Sequence, residues 1–509
     1  MPPCAQRCAV FSKPIPCRSG QSRWILAHRF HRIEQFLLEF SSTVEVTMRR
    51  ILLLAVLVSV FSSQGRAQQV TGLQGWDIFL DPGHSRKENM GVYGYSEAEK
   101  NLRVALNLRD FLLTLTDIDT VYMSRTNDQQ YVTLSQRTDL ANRLGASWYH
   151  SIHSDASAPQ YNSTLLLWGQ YRDGREKVPN GGRAMSDIMV DLLTRGMRIP
   201  TRGSIGDCSF YGCTFYGPYL HVNRETTMPS ELSEAGMHTN PRQNQLNMNA
   251  EWKRLEAKTF FWSILKFHRL PRPFAGTCAG IIYDAESRVP INGAHVRLGN
   301  REYVTDTFES LFHKYTGDPD KLHNGFYYFE NLPDSTLTMT VRAPGYYPDT
   351  LTVSVVDTFF TFQDVGLVSS IPPRVISSVP DSGEQRFPGW ENLIIRFSRK
   401  MNAASVETSL ALTPQAELRF TWQNENRVLV VQTDTLALET DYQLVIRATA
   451  RDQYGHLLDG NGDGVAGDEF VLPFRTGPAD LAAPKITELF PAPNSHGVEL
   501  RPLVNIAYD

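Results

Sequence analysis

Two histidines and a glutamate in the N-terminal half of the chain are spaced as a metal site would need. An apolar run leads into Asp81-Pro82-Gly83-His84, so that a strand delivers the histidine into a Pro-Gly turn. Glu97 stands at the start of a helical pattern, and strand alternation in Trp148 to Asp155 gives His153 a defined face. Two histidines and one carboxylate form a common catalytic zinc shell that leaves a fourth position for water.

The helix that begins near Glu97 carries a capping signal. Ser96 and Glu99 form the S-x-x-E pattern of a capping box, which leaves Glu97 free to face the same pocket as His84. Each residue alone also has a structural explanation. A histidine at a strand end is often only hydrogen-bonded, and a carboxylate in the first turn of a helix interacts favourably with the helix dipole. Only the combination of these residues indicates a metal site.

These motifs resemble a known enzyme family. In order and spacing, Asp81-Pro82-Gly83-His84, Glu97 and Ser151-Ile152-His153 are similar to the zinc-dependent N-acetylmuramoyl-L-alanine amidases. Further landmarks agree with that family: Ser124 to Asp128, Arg137, Ala141-Asn142, Val222, Arg224, Met228-Pro229, Glu234-Ala235-Gly236 and Asn240-Pro241. The resemblance extends from residue 76 to about residue 268.

The resemblance implies roles for four residues. His84, Glu97 and His153 would bind Zn²⁺, and Glu234 would be the catalytic general base. The implied reaction is hydrolysis of the amide bond between N-acetylmuramic acid and L-alanine, with peptidoglycan as the partner. Zinc lowers the pKa of a bound water toward ~7. Glu234 would then move a proton from the water to the leaving nitrogen.

The sequence departs from the family pattern at two places near these residues. Ser230-Glu231-Leu232-Ser233 stands where the family has an apolar strand, so we expect this strand to be exposed or shifted. Ser85 stands where a glycine is usual. Glu231 and Glu234 fall on opposite faces of a strand, so only one of them can face the metal. Glu234 is preferred because Ala235-Gly236 follows it.

Two other functions are compatible with the same motifs. One is a catalytically inactive wall-binding module that has kept the fold, and the other is a zinc hydrolase of another amide substrate. A zinc site reports the reaction type much better than the substrate. His221 and His238 have no role in this interpretation and are predicted to be surface or hydrogen-bonding residues.

The segment 155–228 is rich in aromatic residues and contains two cysteines. Cys208 and Cys213 are close enough in sequence to form a disulfide in an oxidising compartment. The aromatic side chains could stack on sugar rings or pack on their own domain. They are Phe210, Tyr211, Phe215, Tyr216 and Tyr219.

A secretory signal is predicted near the N-terminus. Met48-Arg49-Arg50 precedes the apolar run Ile51 to Phe61, and Gly65-Arg66-Ala67 provides a cleavage site. The run is shorter than the ~20 residues of a membrane span, although a membrane anchor or a buried helix is the alternative. We expect residues 48–67 to be a signal peptide and residues 1–47 an extension upstream of the true start. The protein is then secreted, to the periplasm or cell surface, without stable membrane insertion after cleavage.

The length of 509 residues is sufficient for three or four domains. Alternating strand and helix patterns predict an α/β domain over residues 76–270. Beyond Pro271-Arg272-Pro273 the pattern becomes β-rich. The predicted fold class is therefore multidomain, with an N-terminal α/β amidase domain followed by β-sandwich domains. A formal net charge of −4 gives no global basic surface, so nucleic acid is not expected as a partner.

The β-rich part of the chain divides into three predicted domains. Residues 276–368, with Gly325 to Pro333, resemble the carboxypeptidase regulatory-like domain. Residues 372–477, with Ile394 to Asn402, resemble a bacterial Ig-like domain, and residues 483–509 look like the start of a second, truncated copy. These domains would bind the wall or a protein partner, or act as spacers.

One motif in the Ig-like segment has the pattern of a calcium loop. Asp459 to Gly464 copies the opening of such a loop, but Phe470 occupies the twelfth position, where an EF-hand has a glutamate. A plain acidic turn is therefore preferred over a calcium site.

Overall fold

The computed structural model describes residues 69–179, 181–273, 276–307, 321–479, 485–497 and 503–508. The predicted extension (1–47) and signal peptide (48–67) lie outside these residues, as does part of the predicted segment 483–509. Among the helices in the described ranges, none combines the length and apolarity that a membrane crossing requires.

A six-stranded sheet forms the centre of the N-terminal part, in the order β2-β1-β3-β6-β4-β5. Its strands are β1 (Asp77–Pro82), β2 (Thr120–Met123), β3 (Trp148–Asp155), β4 (Thr164–Trp168), β5 (Thr201–Gly206) and β6 (Ser230–Met237). β1 is parallel to β2 and β3, and β3 is parallel to β6, whereas β4 is antiparallel to β6. Because β1, β3 and β6 are adjacent and parallel, their carboxyl ends meet at one edge of the sheet.

Helices cover both faces of this sheet. They are α1 (Glu97–Leu115), α2 (Leu134–Leu144), α3 (Gly182–Met197), α4 (Asp207–Tyr211), α5 (His221–Glu225), α6 (Pro241–Met248) and α7 (Ala250–Phe267). Alternate residues of β1 enter different cores: Ile78 and Leu80 pack with α1, α3 and α7, and Phe79 packs with α2 and α5. The predicted α/β class is therefore confirmed as three layers.

The segment 276–368 forms two four-stranded sheets around their own apolar core. The first has the order β10-β7-β13, with β14 also pairing with β7, and the second has the order β12-β11-β8-β9. The strands are β7 (Gly276–Asp284), β8 (His295–Leu298), β9 (Arg301–Val304), β10 (Phe326–Leu332), β11 (Ser335–Arg342), β12 (Asp349–Val355), β13 (Thr361–Phe362) and β14 (Val365–Leu367). This segment is called the first sandwich below.

The last described part of the chain contains a second pair of sheets, β15-β16-β19-β18 and β17-β20-β21. Its elements are β15 (Val375–Val379), β16 (Leu393–Phe397), α8 (Ala403–Ser409), β17 (Leu410–Thr413), β18 (Leu418–Gln423), β19 (Val428–Thr433), β20 (Asp441–Ile446) and β21 (Phe470–Arg475). A short antiparallel pair follows, formed by β22 (Ile486–Phe490) and β23 (Asn505–Tyr508). The prediction of β-sheet domains after the α/β domain is confirmed.

Helix α7 is buried on all sides because the first sandwich covers the face that the α/β domain leaves open. Trp252 packs edge-on against Phe326, with ring centroids 5.2 Å apart, and Trp262 stacks on Phe360 at 4.3 Å. A helix buried all round belongs to the interior of a larger unit. The predicted boundary near residue 272 therefore separates two chain segments that share one hydrophobic core.

Buried charges also cross this boundary. Glu330 of β10 is 7% exposed and accepts hydrogen bonds from Lys258 (2.6 Å) and Arg254 (3.0 Å) of α7. Burial alone would raise the pKa of Glu330, but the two cations outweigh burial and lower the pKa to about 2. The carboxylate is therefore charged in the folded protein and ties the first sandwich to α7.

Replacing Glu330 by glutamine is expected to lower the free energy of unfolding by about 3–5 kcal/mol, because two buried cations lose their counter-charge. The folded-state pKa of Glu330 lies below the ordinary value of 4.5. The stabilisation is therefore fully present above about pH 4.5 and is lost as the pH falls toward 2. Urea unfolding followed by tryptophan fluorescence measures this effect.

The exposed pair Arg419–Asp434 supplies the control for this experiment. Asp434→Asn should change the free energy of unfolding by less than about 1 kcal/mol. If Glu330→Gln behaved like the control, or if its effect were confined to the first sandwich, the shared core would not make one cooperative unit.

Candidate metal centre

The turn after β1 is fixed by two buried arginines. Arg137 donates to Asp81 (2.5 Å) and to the carbonyl oxygens of Pro82 (2.9 Å) and His84 (2.6 Å). Arg125 donates to the carbonyl oxygen of Pro82 at 3.1 Å. Burial would raise the pKa of Asp81, but the charge of Arg137 outweighs burial and the pKa is about 2. His84 adopts a left-handed backbone conformation (φ 59°), and these bonds stabilise this costly geometry.

Glu97 begins α1 and is 2% exposed. One of its oxygens accepts from the Ser154 amide (2.9 Å) and from Asn101 (3.2 Å), and the other accepts from Asn89 (2.7 Å). Burial opposes its charge, but the hydrogen bond from His153 and the nearby histidines outweigh burial and hold the pKa of Glu97 well below its usual range. The site therefore keeps a buried negative charge.

The two predicted histidines converge on this carboxylate. The Nε2 atom of His84 lies 3.3 Å from one Glu97 oxygen, and the Nδ1 atom of His153 lies 3.0 Å from the other. The two imidazole rings are 4.9 Å apart and nearly perpendicular. Gly83 permits this approach, because a Cβ atom there would lie 2.2 Å from the His153 ring.

The spacing of these donor atoms fits a zinc ion. Ligand atoms of the three side chains lie within 4.8 Å of one another. Two ligands at about 2.0–2.1 Å from a tetrahedral zinc are roughly 3.3 Å apart, and nitrogen and carboxylate oxygen are ligand types that zinc accepts. The donor set and its spacing therefore match the predicted zinc shell, with one ligand position left for another molecule.

Glu234 lies beside this cluster on β6. It is 9% exposed, and its strand position is paired with His153 of β3. Within the described part of the chain, its Oε2 atom has no hydrogen-bond partner. Burial, followed by the charges of Glu97 and Asp155, raises the pKa of Glu234 well above its usual value. A buried carboxylate with a free oxygen is suited to accept and return a proton.

Two residues near the site had no role there in the sequence-based interpretation. The Lys100 amine is fully buried and donates to the carbonyl oxygen of His153 (3.1 Å) and to Glu256 (2.6 Å). His238 is 4% exposed and lies 3.6 Å from a Glu97 oxygen while bonding the Ser154 carbonyl at 2.8 Å. His238 was predicted to be a surface or hydrogen-bonding residue; it is buried, makes a hydrogen bond and also borders the site.

The strand that carries Glu234 differs from its prediction. Every residue of β6 is buried, and the strand pairs with β3 and β4 in the middle of the sheet. The expectation of an exposed or shifted strand is therefore wrong. Two of its polar side chains have hydrogen-bond partners inside: one oxygen of Glu231 accepts from the Trp148 indole at 2.6 Å, and Ser233 bonds His150 at 3.0 Å. Both lie on the face opposite Glu234, as strand alternation predicts.

The remaining motifs have plain structural outcomes. Ser96 accepts from the amide of Glu99 (3.1 Å), which is the N-cap bond expected from the sequence. Cys208 and Cys213 form a disulfide with Cα atoms 4.9 Å apart. In the Ig-like segment, the carboxylate of Asp459 accepts from the amides of Gly462 and Gly464, as an acidic turn does.

The chain matches two family models. Residues 78–266 match the model described as N-acetylmuramoyl-L-alanine amidase, and residues 369–476 match the model described as bacterial Ig-like domain. The resemblances to the amidases and to the bacterial Ig-like domain are therefore confirmed, and the carboxypeptidase regulatory-like assignment of residues 276–368 stays a prediction.

Curated relatives and a solved structure have the same description. The chain is 30% identical over 192 residues to N-acetylmuramoyl-L-alanine amidase CwlM of Bacillus licheniformis, covering 38% of this chain and 65% of the relative. It is 28% identical over 196 residues to the sporulation-specific N-acetylmuramoyl-L-alanine amidase of Bacillus subtilis (strain 168), covering 38% and 64%. The chain thus spans less than two thirds of each relative. The crystal structure of an N-acetylmuramoyl-L-alanine amidase from Clostridium difficile 630 aligns with a TM-score of 0.33 and 25% identity, over 38% of this chain and 96% of that one.

Proposed function

We propose that residues 76–270 form a zinc-dependent amidase that hydrolyses the bond between N-acetylmuramic acid and L-alanine in peptidoglycan. The observation that supports this most strongly is the convergence of His84, Glu97 and His153 beside the unpartnered buried oxygen of Glu234. The family match over residues 78–266 supports the choice of reaction and substrate.

In this proposal His84, Glu97 and His153 hold the metal, and Glu234 is the general base. A bound zinc ion would supply Lewis acidity, which polarises the scissile carbonyl and makes water easier to deprotonate. Glu234 accepts the proton of the attacking water and then donates it to the departing alanine nitrogen. Lys100 and Ser154 support the site by holding the His153 carbonyl and the Glu97 carboxylate in place.

The proposed substrate lies outside the cytoplasm, which agrees with the predicted signal peptide at residues 48–67 and with secretion to the periplasm or cell surface. The β-sandwich domains are proposed to contact the wall or a protein partner. The shared core with α7 makes the first sandwich part of the catalytic unit as well.

Digestion of purified peptidoglycan by the purified chain tests this function. We expect soluble peptides with new L-alanine amino termini, their loss on treatment with a chelator, and their recovery when zinc is added back. One bound zinc without cleavage would favour another amide substrate or a wall-binding module. If no zinc binds, the metal site is wrong.

Replacing Arg137 by lysine is expected to weaken zinc binding by about 10–100-fold, the usual cost of losing a group that orients a metal ligand. A lysine cannot reproduce the three hydrogen bonds of the guanidinium to Asp81, Pro82 and His84. Competition with a chromophoric chelator measures the dissociation constant without any activity assay.

The exposed Arg183, which pairs with Asp187 at 3.9 Å, provides the matched control. Arg183→Lys should leave the zinc dissociation constant unchanged. Equal zinc affinity in Arg137→Lys and wild type would mean that the turn after β1 keeps His84 in place without the guanidinium.

A further inference from the structure

A group of exposed aromatic side chains lies between β5 and β6. Tyr211, Phe215 and Tyr219 are 44%, 41% and 38% exposed, and together they are called the aromatic platform. The Tyr211 and Tyr219 ring centroids are 4.5 Å apart with planes inclined by 17°, and those of Phe215 and Tyr219 are 6.3 Å apart at 22°. Contiguous exposed apolar surface of this kind usually marks a binding site.

The aromatic platform is continuous with the candidate active site. Asp155 ends the strand that carries His153, and Arg202 forms an ion pair with Asp155. The Arg202 guanidinium lies 5.5 Å from the centre of the Phe210 ring, and Phe210 packs edge-on against Tyr211 at 4.8 Å. Burial, and then the negative charges of the nearby Glu234 and Asp155 carboxylates, raise the pKa of Tyr211 to about 12.

The backbone beneath the aromatic platform is held rigidly. The Cys208–Cys213 disulfide closes the turn at α4. The buried Asp207 carboxylate accepts from the backbone amides of Gln170 (3.1 Å) and Leu220 (3.0 Å). Gly217 has no room for a side chain, because a Cβ atom would lie 2.4 Å from the Cys208 sulfur. A surface fixed before binding loses little conformational entropy when a ligand arrives.

Three arginines around the aromatic platform form ion pairs with neighbouring carboxylates. Arg224 pairs with Glu225 at 2.9 Å, Arg175 pairs with Asp173 at 2.9 Å, and Arg202 pairs with Asp155. The surface therefore combines ring faces with tyrosine hydroxyls, and each of these three arginines is paired with a carboxylate. An uncharged ligand with apolar faces and hydroxyl edges, such as a sugar ring, fits it.

The other part of the proposed substrate has a different chemistry. A stem peptide has free carboxylates, which require cationic partners. The cations Arg242 and Arg288 line a cavity of about 400 Å³ between α6 and the first sandwich, together with the carboxylate of Asp364. The contrast favours sugar, not peptide, as the ligand of the neutral aromatic platform.

We propose that the aromatic platform binds the glycan strand, by stacking N-acetylated sugar rings against Tyr211, Phe215 and Tyr219 beside the catalytic carboxylate. This inference rests on the proposed amidase function and specifies which side of Glu234 receives the sugar.

Binding of peptide-free glycan strands to the chain carrying Glu234→Gln tests the proposal. The strands alternate N-acetylglucosamine and N-acetylmuramic acid, and calorimetry gives the dissociation constant. We expect Phe215→Ala/Tyr219→Ala to weaken binding at least tenfold, and the ring-preserving Tyr219→Phe to retain it. Trp390→Ala, which removes a 72% exposed aromatic from the Ig-like domain, is the matched control and should have no effect.

Three results would overturn the proposal. They are no binding of glycan, equal glycan binding by the double variant and the chain without it, or a double variant that loses affinity for free stem peptides but not for glycan. If the double variant unfolds at a lower temperature, the exposed single variant Phe215→Ser answers the same question. Cleavage of a muramoyl peptide by the unmodified chain is measured separately. Absence of cleavage would reject the amidase function, whereas the glycan-binding measurement tests the aromatic platform independently.

Discussion

Glu234→Gln is expected to lower kcat on peptidoglycan by about 10³-fold while zinc binding and the unfolding temperature stay unchanged. Glu234 is buried beside the metal centre, and one of its oxygens has no partner among the described residues. Glutamine fills the same space but cannot accept a proton from water or return it to the leaving nitrogen. Release of peptides with free L-alanine amino termini gives the rate, and metal analysis gives the zinc content.

Glu231 supplies a matched control three residues earlier on the same strand. Its side chain faces the opposite side of β6 and bonds the Trp148 indole. Burial raises the pKa of Glu231 well above its usual value, so glutamine resembles the protonated side chain that the core holds. Glu231→Gln should retain activity within a few-fold. A large loss in this variant, or none in Glu234→Gln, would reverse the assignment of the general base.

The candidate site could be predicted because its residues lie on adjacent parallel strands and at one helix start. The ends of β1 and β3 and the start of α1 are local features with clear sequence signals, such as the Pro-Gly turn before His84 and the cap at Ser96. Parallel pairing then brings the strand ends together. The assignment of Glu234 as the general base depended on the family resemblance, because the polar pattern of β6 is not typical of a buried strand.

Long-range pairing explains what the sequence did not predict. The polar residues of β6 are buried because Trp148 and His150 bond them from β3. Lys100 looks like a surface residue of a helix until Glu256, far along the chain, pairs with it. Local sequence patterns do not reveal such distant partners, so the polar strand at Ser230 to Ser233 was expected to be exposed or shifted.

The core shared across the predicted boundary near residue 272 could not be read from the sequence for the same physical reason. The change from helical to β-rich pattern after Pro271 correctly marks a change of fold, and each part has its own sheets. It does not show that the core is shared, because α7 carries lysines and glutamates that would be exposed on an isolated domain. Their partners, such as Glu330 for Lys258, lie in the first sandwich.

His153→Ala is expected to abolish stoichiometric zinc binding and, with it, hydrolysis. The Nδ1 atom of His153 lies 3.0 Å from Glu97, and His84 alone cannot complete a stable shell with that carboxylate. A ligand that binds only the folded state at a thousandfold excess over its Kd stabilises it by about 4 kcal/mol. Chelation should therefore lower the unfolding temperature of the unmodified chain but not that of His153→Ala.

The exposed His295 gives the control, since His295→Ala removes an imidazole remote from this cluster and should keep one zinc per chain. One zinc per chain in His153→Ala would place the metal elsewhere and leave Glu234 without the Lewis acid that its proton transfers require.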